Sequence, residues 1–347
     1  MKRTLKRIDF TQFIHASTGL YDKLIRPFAS YIKRKNLIVI PDESLAYIPF
    51  EILLTHLVDP RNPDYSSLPY LIGTNPVSYS YSATLLSDKI QRRGRPERKV
   101  LALAPKYKEP QISARQQFLS RQQYRDYLYP IPGATEEVEF VHKLLGGDVL
   151  LDEEATEASF KARSSRYDIL HLAMHTILDD VNPMYSKLVF TETPGDDEDD
   201  LLNTFEIYNL KLSARLTVLS SCNSGTGKLQ KGEGVMSLAR GFIYAGCPSI
   251  VMTLWEVEDK SGVEMMRNFY HYLKKGYVKD EALRKAKLEF LQHANMENAH
   301  PYFWSAFVNI GDPGAIFPGK GQKLAFSALI LLILAATGVI LFKKRFH

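Results

Sequence analysis

Cysteine is nearly absent from this chain, which has Cys222 and Cys247 and no other in 347 residues. Two thiols cannot build a disulfide framework, and without CxxC pairs there is no zinc-binding spacing. A reducing compartment is the simpler setting for such a chain. Charge of one sign is also missing: 44 basic residues against 39 acidic ones leave +5 and a pI near 8.9. The lysines and arginines are scattered without a dominant tract, which speaks against a nucleic-acid partner. Met1–Phe10 is basic, but no apolar run of seven or more residues follows it, so no secretory leader is expected. GxSxG and GxxxxGK[ST] are both absent, which argues against an α/β hydrolase and a nucleotide enzyme. Gly225-Thr-Gly-Lys228 looks like the tail of a phosphate loop, yet the required first glycine falls on Cys222 and Leu229 replaces the metal-binding hydroxyl. No internal repeat is found.

What is present is an ordinary globular composition, 45% hydrophobic and 24% charged, enough to bury a sizeable core. The long apolar run lies near the carboxyl end. Leu324–Phe342 holds no charge over 19 residues, about one hydrocarbon thickness as a helix, and is followed by Lys343-Lys344-Arg345. It reads as a single transmembrane helix with a short basic tail, 343–347. The Gly- and Pro-rich stretch before it, within 313–323, reads as a linker. Upstream, short apolar runs at Asn36–Ile40, Lys99–Ala104, Asp168–Ala173, Leu216–Ser220 and Ser249–Leu254 predict strands. Amphipathic stretches at Thr135–Leu145, Ala155–Ser164, Val235–Ala245, Ser261–Lys275 and Lys279–Gln292 predict helices. Near-continuous apolar strands separated by helices imply a mainly parallel sheet in a three-layer α/β/α sandwich. Lys106–Tyr129 and the acidic run Gly195–Asp200 read as exposed loops.

Two strand ends carry candidate chemistry. Tyr167–His175 is an apolar strand that contains His171, ends on His175 and passes into a polar loop; Leu216–Cys222 delivers a cysteine into the small-residue turn Asn223–Gly227. In a parallel α/β sheet, the carboxyl ends of adjacent strands form the crevice where ligands bind, so His175 and Cys222 are expected to face each other there. A thiol with a pKa near 8.5 is mostly protonated at neutral pH, and a neighbouring imidazole can take its proton and make it a nucleophile. The glycines let backbone N–H groups approach a developing oxyanion. His171, inside its strand, is assigned to the core or to support behind the site.

These residues resemble a known family. Leu37–Glu51, Asp168–His175, Leu219–Gly227 with Gly232-Glu-Gly234, Thr253–Asp259 and His300–Asp312 are similar, in order, to the motifs of the CHAT domain, a relative of caspases, gingipains and separase often attached to TPR arrays. The resemblance spans 21–312 and implies a caspase-like sandwich, a His175–Cys222 dyad, an oxyanion hole from the backbone N–H groups of Cys222 and Thr176, and neither metal nor organic cofactor. Thr176 stands where the family usually has glycine, and a left-handed backbone there would strain a β-branched residue. Residues 1–20 form an amino-terminal extension, so a TPR sensor is expected to be a separately encoded partner or absent.

The expected function is cysteine-type peptide hydrolysis of a protein or peptide substrate, after a basic residue. By resemblance, the acid reading that residue comes from Trp255–Asp259: Asp259 first, with Glu256 and Glu258 behind it. The rival expectation is a catalytically inactive CHAT module serving as a membrane-bound scaffold. With no leader, the catalytic domain is expected on the cytoplasmic side, held to membrane lipid by the carboxyl-terminal helix.

Overall fold

A computed structural model describes residues 9–61, 63–87, 98–108, 128–179, 181–193, 198–220, 233–255 and 257–317. Eleven strands are found among them: β1 (Leu37–Val39), β2 (Val77–Tyr79), β3 (Arg98–Pro105), β4 (Asp148–Asp152), β5 (Tyr167–Leu172), β6 (Thr176–Ile177), β7 (Lys187–Val189), β8 (Leu201–Asn203), β9 (Leu216–Leu219), β10 (Ser249–Thr253) and β11 (Phe307–Gly311). Eight form one sheet in the order β1-β2-β11-β10-β9-β5-β3-β4. Its neighbours run parallel except at one junction, where β11 lies antiparallel to β10. The remaining three make a small antiparallel sheet, β6-β7-β8.

Alternation along the strands decides how the sheet is covered. Val100, Ala102 and Ala104 of β3 point to one face, while Leu101 and Leu103 point to the other, and all five are buried. The first face packs against α1 (Phe10–Leu24), α2 (Pro132–Leu145), α5 (Asp259–Lys274) and α6 (Lys279–His293). The second packs against α3 (Glu157–Arg163), α4 (Glu233–Tyr244) and the small sheet. The expected helical layers are therefore present on both faces of a mainly parallel sheet.

Local chemistry fixes the ends of these helices. Asp9 caps α1 by accepting from the Thr11 N–H, and the Thr156 hydroxyl caps α3 by accepting from Ser159 N–H at 3.1 Å. Pro132 sits in the first turn of α2, and Gly146, with φ 75°, follows its last residue and returns its N–H to His142 O. Gly147 next to it has φ 119°, and a Cβ there would lie 2.1 Å from Val100 O, so only glycine lets β4 start this close to β3. Lys287 of α6 is enclosed and meets Glu51 Oε1 at 2.9 Å, while the Tyr79 hydroxyl donates to the other Glu51 oxygen. Burial pulls the Lys287 ammonium below its usual range against the pull of Glu51.

Two sequence expectations meet a different structure. α1 runs across the boundary expected at residue 20 and places Phe10, Phe13 and Ile14 in the core. Asp200, read as part of an exposed acidic loop, is buried, and its carboxylate accepts from the Thr193 N–H and hydroxyl. No helix among the described residues is long and apolar enough to cross a membrane, and Leu324–Phe342 lies outside those residues.

Candidate active site at the strand ends

β5 and β9 are adjacent and parallel, with Leu172 level with Leu219, and Ser220 N–H donates to Leu172 O at 3.0 Å. Beyond Leu172 the chain passes through Ala173 and Met174 to His175 and then into β6. Beyond Ser220 it leads towards Cys222, which lies outside the described residues together with the rest of 221–232. The two strands are thus aligned, while the distance between His175 and Cys222 is not described.

His175 is buried at 7% exposure, and its contacts select one tautomer. Nε2 lies 2.7 Å from the Tyr129 carbonyl oxygen, which can only accept, so Nε2 carries the proton. Nδ1 is then a bare acceptor, enclosed and without a hydrogen-bond partner among the described residues. Burial pulls the imidazole pKa below its usual value, and the Tyr129 carbonyl opposes this in part. A neutral imidazole with a free lone pair is a competent proton acceptor. The backbone of His175 is held as well: its N–H donates to the Tyr107 hydroxyl at 2.9 Å, and its carbonyl accepts from Val189 N–H at 3.0 Å.

Thr176 pairs with Leu188 in β6 and has no left-handed backbone; the non-glycine residues of positive φ among those described are Arg34, Asp152 and Asp200. The strain that a threonine was expected to bring here is therefore not present. Since the ladder bond joins His175 and Val189, the Thr176 N–H faces away from β7.

A small open crevice of about 30 Å³ lies along the strand ends, reached by Ala173, Ser220 and Thr253 and walled by Val257 and Gly262. Glu137 of α2 also lines it, at 4% exposure. His171 sits beneath: its Nδ1 is 2.9 Å from the Tyr270 hydroxyl, and its Nε2 is 3.0 Å from Glu137 Oε1, close in distance but not aligned as a hydrogen bond. Burial and the nearby Glu137 carboxylate push the Tyr270 phenol well above its usual range. His171 is fully buried, in the core position expected of it.

Of the acids expected to read the substrate, Glu258 is exposed and precedes α5, Asp259 opens that helix, and Glu256 lies outside the described residues. Sequence reasoning passed over Tyr107, Tyr129 and Glu137. A signal existed for Glu137, which falls on the apolar stripe Ala134, Val138, Val141 and Leu145 of an amphipathic helix. Tyr129 acts through its main-chain carbonyl, which no side-chain pattern announces. Elsewhere, Glu157, Glu198 and Glu206 bring carboxylate oxygens within 4.8 Å of one another, close enough to hold a metal ion. Lys161 Nζ already stands among them at 2.7, 2.8 and 3.0 Å.

Tetratricopeptide repeat protein 28 of Homo sapiens is 27% identical over 213 residues, covering 52% of this chain, and its Mus musculus counterpart matches equally. The match spans 8% and 9% of those proteins' own lengths. Among solved structures, separase of Saccharomyces cerevisiae, in its complex with securin, aligns over 81% of this chain and 16% of its own with TM-score 0.49 and 14% identity. The Arg-specific cysteine proteinase gingipain R aligns over 88% of this chain and 67% of its own with TM-score 0.44 and 9% identity. The CHAT domain profile matches residues 15–312, so the chain belongs to the CHAT domain family.

Proposed function

We propose that the chain is a cysteine endopeptidase in which Cys222 is the nucleophile and His175 its base. The observation that carries this reading is the state of the His175 imidazole. It is buried and neutral, tied through Nε2–H to the Tyr129 carbonyl, and it keeps Nδ1 as an unused acceptor at a strand end. The strand beside it leads to Cys222, three residues past Leu219, as His175 is three residues past Leu172. In the reaction, the Cys222 thiol gives its proton to Nδ1, and its sulfur attacks the scissile carbonyl carbon. The backbone N–H groups of Cys222 and Thr176 receive the oxyanion. The tetrahedral adduct collapses to a thioester as the imidazolium returns the proton to the leaving amine, and water then hydrolyses the thioester.

The residue before the scissile bond is proposed to be Arg or Lys, read by the Trp255–Asp259 segment with Asp259 as the principal acid. This is supported by the position of Val257 on the strand-end crevice and by the buried carboxylate of Glu137 in the same crevice. A peptidyl-arginine acyloxymethyl ketone is the direct test. One adduct on Cys222, located by mass spectrometry and lost in Cys222→Ala and His175→Ala, is expected; an adduct elsewhere, or peptide hydrolysis that survives Cys222→Ala, overturns the reading.

Leu324–Phe342 is proposed to hold the domain at a membrane, supported by the uncharged run and the basic residues after it, and the catalytic part is proposed to lie in the cytoplasm, where the Cys222 thiol is kept reduced. A TPR protein is the proposed partner, since the relatives this chain matches are tetratricopeptide repeat proteins.

A further inference from the structure

We infer that Tyr107 is a positioning residue for His175, an inference that rests on the peptidase reading and extends it to how the imidazole is held. The argument begins with the ladder between the His175 strand and β7. By continuation of the register Thr176 to Leu188, His175 stands opposite Val189, and such a pair ordinarily exchanges two backbone hydrogen bonds. One is present, from Val189 N–H to His175 O at 3.0 Å. In place of the other, the Tyr107 hydroxyl stands between the strands, accepting from His175 N–H at 2.9 Å and donating to Val189 O at 2.8 Å. The rung beneath the imidazole is thus completed by a side chain from the end of β3.

The same residue acts on the ring. Tyr107 and His175 have centroids 4.5 Å apart at 60°, so the phenol covers part of the imidazole and contributes to the burial that keeps it neutral. Tyr107 also packs against Leu128, Val189 and Leu201, and Leu128 immediately precedes Tyr129, whose carbonyl fixes the Nε2 proton. The neighbour Lys106 N–H donates to Thr191 Oγ1 at 2.9 Å, which holds this short segment in place. Hydroxyl and ring therefore have separable tasks: the hydroxyl sets the backbone from which the imidazole projects, and the ring sets its cover and steadies its carbonyl partner.

Two substitutions in the full chain separate these tasks. Tyr107→Phe removes one oxygen and keeps the ring, so kcat is expected to fall about tenfold with KM unchanged, as a small misplacement of a proton acceptor should do. The midpoint of His175 titration, followed by NMR in a Cys222→Ala background, is expected to stay in place. Tyr107→Ala uncovers the ring, so that midpoint should move upwards towards the ordinary histidine value; Tyr107→Leu serves if the alanine variant does not fold. A parental kcat in the Phe variant, or an unmoved titration midpoint in the Ala or Leu variant, overturns the assignment. If no peptide is hydrolysed by the parental chain, the peptidase reading falls by that result, and the titration alone decides the role of Tyr107.

Discussion

At the scale of single residues, the chain keeps several polar groups where water cannot reach, some held by a charged partner and others, such as His175 Nδ1, without a hydrogen bond among the described residues. Lys287 and Glu51 illustrate the cost of separating such partners. Both side chains are enclosed, at 1% and 2% exposure, and their attraction offsets the loss of hydration only while both are present. Lys287→Met is expected to destabilise the fold by about 3 kcal/mol or more, because Glu51 is left charged in an apolar setting with Tyr79 as its remaining support. Adding Glu51→Gln to that variant should recover a large part of the loss in chemical denaturation, since no buried charge then remains; a double variant as unstable as the single one would refute the explanation. The site itself was legible at this scale only in part. The proposed pair, His175 and Cys222, is marked in the sequence because each closes an apolar run, but Cys222 lies outside the described residues. Tyr107 and the Tyr129 carbonyl are not marked, because their roles depend on two ends of one connection meeting a histidine distant in sequence.

At the scale of elements, α3 makes a pH-sensitive contact with the segment around β8. Lys161 of α3 binds Glu157 on its own helix and Glu198 and Glu206 across the gap. Burial pushes the Glu157 carboxyl up to about 7, and the Lys161 ammonium beside it reduces that rise without cancelling it. Lys161 itself is drawn down by burial, but its three carboxylate bonds outweigh that and raise it above its usual value. Since Glu157 holds its proton longer in the folded chain than in the unfolded one, its contribution is fully present below pH about 4.5 and is lost as pH rises through about 7. Thermal unfolding should therefore show stability falling between pH 5 and pH 8, by a loss on the order of 2 kcal/mol from this group. Glu157→Gln should flatten that slope, and a slope unchanged in the variant would assign it to other groups. The long apolar runs were legible as elements: β3 and α6 fall close to the stretches that composition and periodicity marked. β2 and β11 were not. β2 is three residues between Pro76 and Ser80, and β11 holds Asn309 in its centre, so neither shows the unbroken apolar run of a central strand.

At the scale of the whole molecule, the proposed membrane attachment has a directional consequence. In the proposed topology the residues before Leu324 lie on the cytoplasmic side of the membrane and Lys343–Arg345 on the other. Lys343, Lys344 and Arg345 pull mildly against this orientation, because basic residues favour the cytoplasmic side of a span. Protease added to intact cells should leave the domain whole, and digestion of residues 9–317 from outside a sealed membrane would reverse the assignment. The sheet order adds a constraint in time. β11, made last, lies between β2, made early, and β10, with Tyr79 level with Ile310 and Met252 level with Val308. Neither neighbour can pair with β11 until the ribosome has passed residue 311, so joining β2 to β10 must wait until β11 has been made. A nascent chain halted between Thr253 and Phe307 carries two bare strand edges, on β2 and β10, in the middle of what should be one sheet, each open to pairing with another chain.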